Sequence, residues 1–301
     1  MALFKKNSMA IKQTAADRTF DIINVTLLTI VLLIVLYPLV YVISASISDP
    51  MLVLQGKVTL FPKRLTLSAY KMVFKDDSIM NGYKNTIFYT VLGTICNLIM
   101  TIMCAYPLSR KDLAARQQIT FFISFTMFFS GGMVPTYLVI QKLGLLNNYW
   151  SLILPGLISV WNMLIMKNYF QSSIPYELQE AAKIDGCSNI GILIKLVMPL
   201  SVPIVAVMVM YYGVGHWNEY FNAMIYLNNE KLYPLQLVLR GILIQNDMSN
   251  MTNESSMVDQ QLLAESIKYA VIIVSSIPVL MLYPLLQRYF VKGVMVGAIK
   301  G

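Results

Sequence analysis

Residues 171–203 form a polar segment between two strongly apolar stretches, and their side chains suit contact with another molecule. Pro175 is expected in a first helical turn, with Ser173 as the candidate N-cap residue. Glu177 and Glu180 would then lie near the positive end of the helix dipole, where carboxylates are stabilising. The sequence therefore predicts a short helix with acidic residues near its start.

The same helix has an apolar side and a defined end. Ile174, Leu178 and Ala181 recur at spacings of four and three residues, which predicts one apolar stripe. Gly186 is in position to end the helix in a left-handed conformation, and Ser188 can cap the helix that follows. We expect a short amphipathic helix, a sharp turn and a second helix that leads into the next apolar stretch.

Physical reasoning leaves two interpretations of this helix open. The first is a helix that lies on a bilayer surface, as amphipathic helices with a polar face do. The second is a docking site for another protein. The adjacent Ala181 and Ala182 allow close approach, and Glu180 offers a charge to a basic partner.

The chain that positions this segment has, as a whole, the amino-acid composition of a membrane protein. The chain has 301 residues, of which 57% are hydrophobic and 13% charged, and its mean hydropathy is +0.62. Soluble proteins carry roughly 45–50% apolar and about 25% charged residues. The composition excludes a disordered chain, a coiled coil and an ordinary cytosolic enzyme. The net charge of +8 is interpreted as cytoplasmic loops of a membrane protein, with no need for nucleic acid as a partner.

We predict an all-α integral membrane protein with six transmembrane helices. A span needs about 20 predominantly apolar residues, and six stretches meet or approach that length. Lys and Arg concentrate in the N-terminal tail (1–21), in the loop after the second span and in the C-terminal tail, so both termini are expected in the cytoplasm. The transmembrane domain is then 22–301, and segment 171–203 faces the cytoplasm. The predicted spans are 22–47, 86–109, 119–140, 149–166, 202–227 and 269–287.

The sequence gives no support for a metal or catalytic site. The three cysteines have no CxxC or Cys/His spacing, and His216 is the single histidine, so neither a zinc site nor a disulfide framework is predicted. The motifs HExxH, GxSxG and GxxxxGK[ST] do not occur. We therefore expect no catalytic residues, no metal, no bound cofactor and no ATP hydrolysis by this chain.

The polar segment carries a pattern that is typical of one family. Residues 180–182 are Glu-Ala-Ala, Gly186 follows after three intervening residues, and nine residues further the chain has Leu-Val-Met-Pro at 196–199. This resembles the EAA-x3-G-x9-I-x-L-P motif of ABC importer permeases. The two departures, Leu196 for Ile and Met198 for Leu, are conservative.

Other segments extend the resemblance over most of the chain, to the maltose-type permeases of carbohydrate importers. They are 60–62, 67–70, 144–147, 217–221 and 287–293. Two more resemble the subgroup associated with complex or oligomeric sugars. They are 131–137 and 233–236.

The resemblance implies a multi-pass transport subunit in a bacterial cell membrane. In such importers two non-identical permease subunits form the pathway, a pair of ATPase subunits holds ATP and Mg²⁺, and an extracellular solute-binding protein delivers the carbohydrate. The alternative is an ion-gradient-driven secondary transporter or channel subunit, which predicts paired intramembrane charges and leaves segment 171–203 unexplained. The residues implied in coupling to the ATPase are Glu180, Ala181, Ala182, Asp185, Gly186 and Pro199.

Residues 216–221 supply candidates for the substrate pathway. An ionisable Glu219 within a span should face the bundle interior or a water-filled cavity. The ring of Trp217 or Tyr220 beside the amide of Asn218 suits a sugar, which has an apolar face and hydroxylated edges. Trp and Tyr are also enriched at membrane interfaces without any ligand, so a purely structural role for both rings stays open. Weaker candidates in the fourth span are Trp161 and Asn162.

Overall fold

The computed structural model describes residues 14–249, 267–282, 284 and 287, and the regular elements in these ranges are helical. The predicted tail 1–21 is thus described only from residue 14, and the C-terminal tail beyond 287 lies outside the described residues. The α-helices are α1 (Ala15–Ser46), α2 (Pro50–Leu54), α3 (Ser68–Val73), α4 (Asp77–Ser109), α5 (Arg116–Phe128), α6 (Met133–Lys142), α7 (Trp150–Ile153), α8 (Val160–Ser173), α9 (Tyr176–Ile184), α10 (Asn189–Ile192), α11 (Met198–Leu200), α12 (Val202–Trp217), α13 (Phe221–Tyr226), α14 (Leu235–Ser249) and α15 (Ile267–Leu282).

In the part of the chain that the structure describes, two helices, α1 and α4, are each long and apolar enough to cross a membrane. Helix α1 starts with a capping box, in which the Asp17 amide donates to Thr14 Oγ1 (3.2 Å) and the Thr14 amide donates to Asp17 Oδ2 (3.0 Å). No residue in the most apolar 18-residue window of α1 is buried. Its surface is therefore available to lipid or to another subunit.

In the described residues three helix pairs are bent, the first two within predicted spans and the third at the start of the predicted span 202–227. Helices α5 and α6 meet at 108°, α7 and α8 at 51° through a 3₁₀ turn, and the α10–α11 segment meets α12 at 83°. Up to five spans are present in the described residues if each bent pair counts as one. Gly131 and Gly132 separate the first pair, Pro155 and Gly156 the second, and Pro203 follows the third bend. These residues lack a side chain or an N–H, so they weaken the helix at each break.

Helix α4 is the centre of the bundle and packs against α8, α12 and α14. Its inward face is dominated by small residues, which let helix backbones approach closely in a membrane. At Gly82 an added Cβ would lie 3.1 Å from Cα of Leu235, and the Leu235 amide donates to Thr86 Oγ1 (2.8 Å). The small buried residues of α4 include Gly82, Thr86, Gly93, Thr94, Thr101 and Ala105.

The contact between α4 and α12 is set by Gly93 and His216. A Cβ at Gly93 would lie 2.6 Å from Cε1 of His216, closer than any real contact. Nε2 of His216 lies 2.7 Å from Oδ1 of Asn97, and Nδ2 of Asn97 donates to the carbonyls of Gly156 (2.7 Å) and Leu157 (2.9 Å). Because both amide hydrogens of Asn97 are used, its oxygen accepts and Nε2 of His216 carries the proton. One buried network therefore joins α4, α12 and the break before α8.

Replacement of Gly93 by Ala should destabilise the folded chain by about 1–3 kcal/mol, because the new methyl group overlaps the His216 ring. The measurement is the thermal unfolding midpoint of the purified full chain in detergent. Gly215→Ala is the matched control, since it lies in α12 and nothing is within 4 Å of an added Cβ. Equal midpoints for the two variants would contradict this account of the packing.

Candidate functional site

The polar segment folds as a helix pair, but the start of α9 differs from the expected one. Ser173 is the last residue of α8, so it is not the N-cap of α9. Pro175 occupies the N-cap position with φ −55° and ψ 134°, and no side chain caps the helix. Both expectations were wrong because α8 runs to within two residues of α9, which leaves only Ile174 and Pro175 to turn the chain.

The end of α9 agrees with the prediction. Gly186 has φ +79°, in the left-handed region, and the Ser188 hydroxyl accepts from the Gly191 amide (3.1 Å) as the cap of α10. A π-helical turn, Leu193–Val197, follows and leads into α11, which contains Pro199. Proline has no N–H to donate and crowds the carbonyl of residue 195, which accounts for the wide turn. The segment then continues into α12.

The predicted apolar stripe does not form one packed face. Ile174 is buried in the core, whereas Leu178 is 44% exposed and Ala181 is also exposed. Helix α9 instead packs on the bundle through Gln179, and Ala182 is half-buried. The exposed apolar residues of α9, α10 and the π-helical turn after them are here called the outer face. They are Leu178, Ala181, Ile184, Ile190 and Ile194.

An ion pair at the end of α4 supports this helix pair and is here called the brace. The Arg110 side chain donates from Nε to Asp112 Oδ1 (2.8 Å) and from Nη2 to Asp112 Oδ2 (2.7 Å), and Nη1 donates to the Tyr106 hydroxyl (2.9 Å). Arg110 is 7% exposed. The two hydrogen bonds from Arg110 lower the pKa of Asp112 to about 2, so the pair stays ionised at neutral pH.

The brace contacts both helices of the polar segment. Nζ of Lys183 in α9 lies 3.7 Å from Asp112 Oδ2, and the Tyr106 hydroxyl donates to the Asn189 carbonyl in α10 (3.3 Å). Sequence reasoning used the basic residues of this loop only as topology signals. The sequence of the loop carries no sign that Arg110 is buried, because its burial depends on the tertiary fold of the chain.

At the far end of α12 the candidate residues separate. Trp217 is 5% exposed, donates from Nε1 to the Ser275 carbonyl (3.0 Å) and packs edge-on against Tyr83 at 6.1 Å between ring centroids. Its contacts are those of a packing residue between α4 and α15. The next residues, Asn218 and Glu219, line two different cavities.

Glu219 lines a cavity of 280 Å³ rich in side-chain amides, here called the amide cavity. The Glu219 carboxylate accepts from the Asn222 amide nitrogen (3.0 Å) and from Nδ2 of Asn222 (2.9 Å). Asn162 is 8% exposed, and within the described residues its carboxamide makes no hydrogen bond, so it can bind a guest. The exposed Trp161 does not line the cavity. Other polar lining residues are Asn97, Ser151, Ser159 and His216.

The arrangement combines hydrogen-bond donors and acceptors with one fixed carboxylate. Carboxamides and hydroxyls can both donate and accept, as polyhydroxylated molecules require. Sequence reasoning found Glu219 and named Asn162 as a weak candidate, but it missed Asn97 and Asn222. A polar residue on the small-residue face of α4 was the available signal for Asn97.

Asn218 and Tyr220 line a second cavity of 560 Å³ between the end of α12, α14 and α15. Nδ2 of Asn218 donates to the Val214 carbonyl (2.9 Å), which holds the side chain against its own helix. Tyr220 is 41% exposed, and the Arg240 guanidinium lies 5.3 Å from its ring centroid. The four candidates of 217–220 therefore have three different environments.

The chain is similar to known transport proteins along nearly its whole length. The chain is 43% identical over 290 residues to the polygalacturonan/rhamnogalacturonan transport system permease protein YtcP of Bacillus subtilis, covering 95% of this chain and 99% of that one. It is 42% identical over 288 residues to Protein LplC of the same organism, covering 96% and 97%. Among solved structures it matches a bacterial ABC transporter involved in the import of the acidic polysaccharide alginate. That match has a TM-score of 0.84 and 36% identity, and it covers 92% of this chain and 99% of that chain.

Residues 8–296, which include the braced helix pair and both cavities, match the sequence model of a protein family, the inner membrane components of binding-protein-dependent transport systems. With this extent of agreement in sequence and fold, the chain belongs to the family of inner membrane components of binding-protein-dependent transport systems.

Proposed function

We propose that this chain is a permease subunit of a bacterial ABC importer for oligosaccharides and forms half of the translocation pathway. The observation that carries the proposal is one continuous connection. A braced helix pair with an exposed apolar face leads through a π-helical turn into α12, and the far end of α12 holds the amide cavity. The names of two relatives support the cargo class, since they concern polygalacturonan, rhamnogalacturonan and alginate.

The proposed topology has six spans, with both termini and segment 171–203 in the cytoplasm. The proposed partners are a second, non-identical permease, a pair of ATPase subunits that bind ATP and Mg²⁺, and an extracellular solute-binding protein. The exposed apolar surface of α1 supports a partner or lipid contact there. The chain itself is proposed to bind no metal or cofactor and to catalyse no reaction.

The proposed coupling is mechanical. The outer face enters a cleft of the ATPase pair, with Glu180 and Asp185 exposed on the same helix and its end. The brace holds α9 and α10 to the end of α4, so a displacement of α9 is transmitted as a movement of the pair. Helix α12 has 16 residues and spans about 24 Å, so its far end responds to movement at its start.

Charge reversal at Glu180 tests the docking. Glu180→Lys should abolish sugar uptake and reduce co-purification of the ATPase, because the exposed carboxylate is proposed to meet a basic residue there. The subunit should still reach the membrane. Glu230→Lys is the control, an exposed reversal in the 3₁₀ turn Glu230–Leu232 away from the polar segment. Normal ATP-driven uptake by Glu180→Lys would contradict the docking, and uptake by this chain without an ATPase would favour the secondary transporter.

The brace has its own test. Asp112→Asn leaves the buried Arg110 without its ionised partner, so we expect sugar uptake per ATP hydrolysed to fall by about tenfold, equivalent to 1.4 kcal/mol. The assay is simultaneous uptake and hydrolysis in proteoliposomes. Lys183→Ala should change little, because its contact with Asp112 is long and exposed. Parallel loss of hydrolysis and uptake in Asp112→Asn would indicate a folding defect instead.

The amide cavity predicts a selective effect at Asn162. Asn162→Leu removes a buried donor and acceptor at nearly constant volume, so we expect the KM for sugar uptake to rise by about tenfold or more. The complete importer in proteoliposomes supplies the measurement. Asn162→Ser, which supplies one hydroxyl in place of the carboxamide, should have a KM between those of the wild type and Asn162→Leu. An unchanged KM in Asn162→Leu would remove this cavity from the pathway.

A further inference from the structure

The second cavity is lined by positively charged side chains, which the amide cavity lacks. Arg240 of α14 and Lys268 of α15 both line its 560 Å³, and among the described residues no Asp or Glu does. The volume is within the range of about 300–1,000 Å³ that ligand pockets occupy. This site is here called the basic cavity. Its uncharged polar lining includes Asn218, Gln236, Ser275 and Ser276.

Arg240 is held in place by neutral groups. Its guanidinium carbon lies 5.3 Å from the Tyr220 ring centroid, and Nη1 donates to the Met224 sulfur (2.8 Å). Within residues 14–244 and 267–282, no carboxylate lies within 4.0 Å of this guanidinium. Since the side chain has five N–H donors and one is used on sulfur, most of its hydrogen-bonding capacity is left for another partner.

A guanidinium with unused donors in a concave site favours an anion as its guest. A carboxylate matches the planar guanidinium, because two parallel N–H groups can donate to its two oxygens. The amides and hydroxyls of the lining can bind the hydroxyl groups around that carboxylate. The amide cavity is unsuitable for the same group, because the Glu219 carboxylate lies in its wall.

We propose that the basic cavity binds the carboxylate of a uronic acid unit, so that the transported oligosaccharide is acidic. This inference rests on the proposed function and adds the substrate class and the recognising residues. Arg240 is the carboxylate ligand, and the Tyr220 ring fixes its guanidinium. Asn218 and the serine hydroxyls of α15 bind the sugar ring.

The test compares one sugar in charged and neutral form. The assembled importer, in nanodiscs of phosphatidylcholine, is titrated with trigalacturonate, with its methyl ester and with maltotriose. We expect the wild type to bind trigalacturonate more tightly than the ester, and this preference to weaken at high salt. Arg240→Gln should weaken trigalacturonate binding by about tenfold or more and leave ester binding unchanged.

Two further variants separate charge from structure. Arg240→Lys keeps the charge but loses the paired donors, so its affinity for trigalacturonate should lie between those of the wild type and Arg240→Gln. Lys231→Gln removes an exposed cation that does not line the cavity and should bind as the wild type does.

Several outcomes would overturn the inference. Equal losses of acid and ester binding in Arg240→Gln would show a structural effect, and no loss would remove Arg240 from the site. Displacement of trigalacturonate by phosphatidylglycerol added to the nanodiscs would make the cavity a lipid site. In proteoliposomes, ATP-driven uptake of maltotriose without any uptake of trigalacturonate would refute the acidic substrate while the importer proposal stands. No ATP-driven uptake of any sugar would refute the proposed function itself.

Discussion

The close approach of α4 and α12 is the constraint on which the rest of the structure depends. It requires the absence of a side chain at Gly93, where the His216 ring fills the space. At that separation the Thr101 and Tyr212 hydroxyls also meet, at 2.7 Å. The brace extends from the end of α4, and the polar helix pair leads into the start of α12. Both parts of the proposed coupling device are therefore held by the same helix contact.

The helix breaks explain why polar cavities occur in so apolar a chain. The interruption at Pro155 and Gly156 frees backbone carbonyls, which cannot stay without donors in a lipid environment. The side-chain amide of Asn97 donates to two of these carbonyls, those of Gly156 and Leu157. Because that network must be polar, other amides and hydroxyls can gather beside it. The amide cavity is thus a consequence of the break as much as of the polar residues themselves.

The polar segment shows where local sequence signals succeed and where they fail. Gly186 and Ser188 were correctly predicted because a left-handed residue and a helix cap depend on the chain within a few positions of each. Ser173 was misassigned because the length of α8 is set by its packing on α4 and α12. The stripe through Ile174, Leu178 and Ala181 was wrong for a related reason. Periodicity gives a helix face, but it does not say which face the bundle covers.

The sequence by itself determined the class of protein, its helical content, the turn at Gly186 and, through one long motif, its family. Composition and short-range spacing are sufficient for these properties. Only the tertiary structure decided that Trp217 packs inside while Asn218 and Glu219 line separate cavities. It also decided that Arg110 is buried and that Arg240 and Lys268 share a site. These arrangements join residues far apart in the chain, as in the pairing of Asn97 with His216, and no local pattern encodes such contacts.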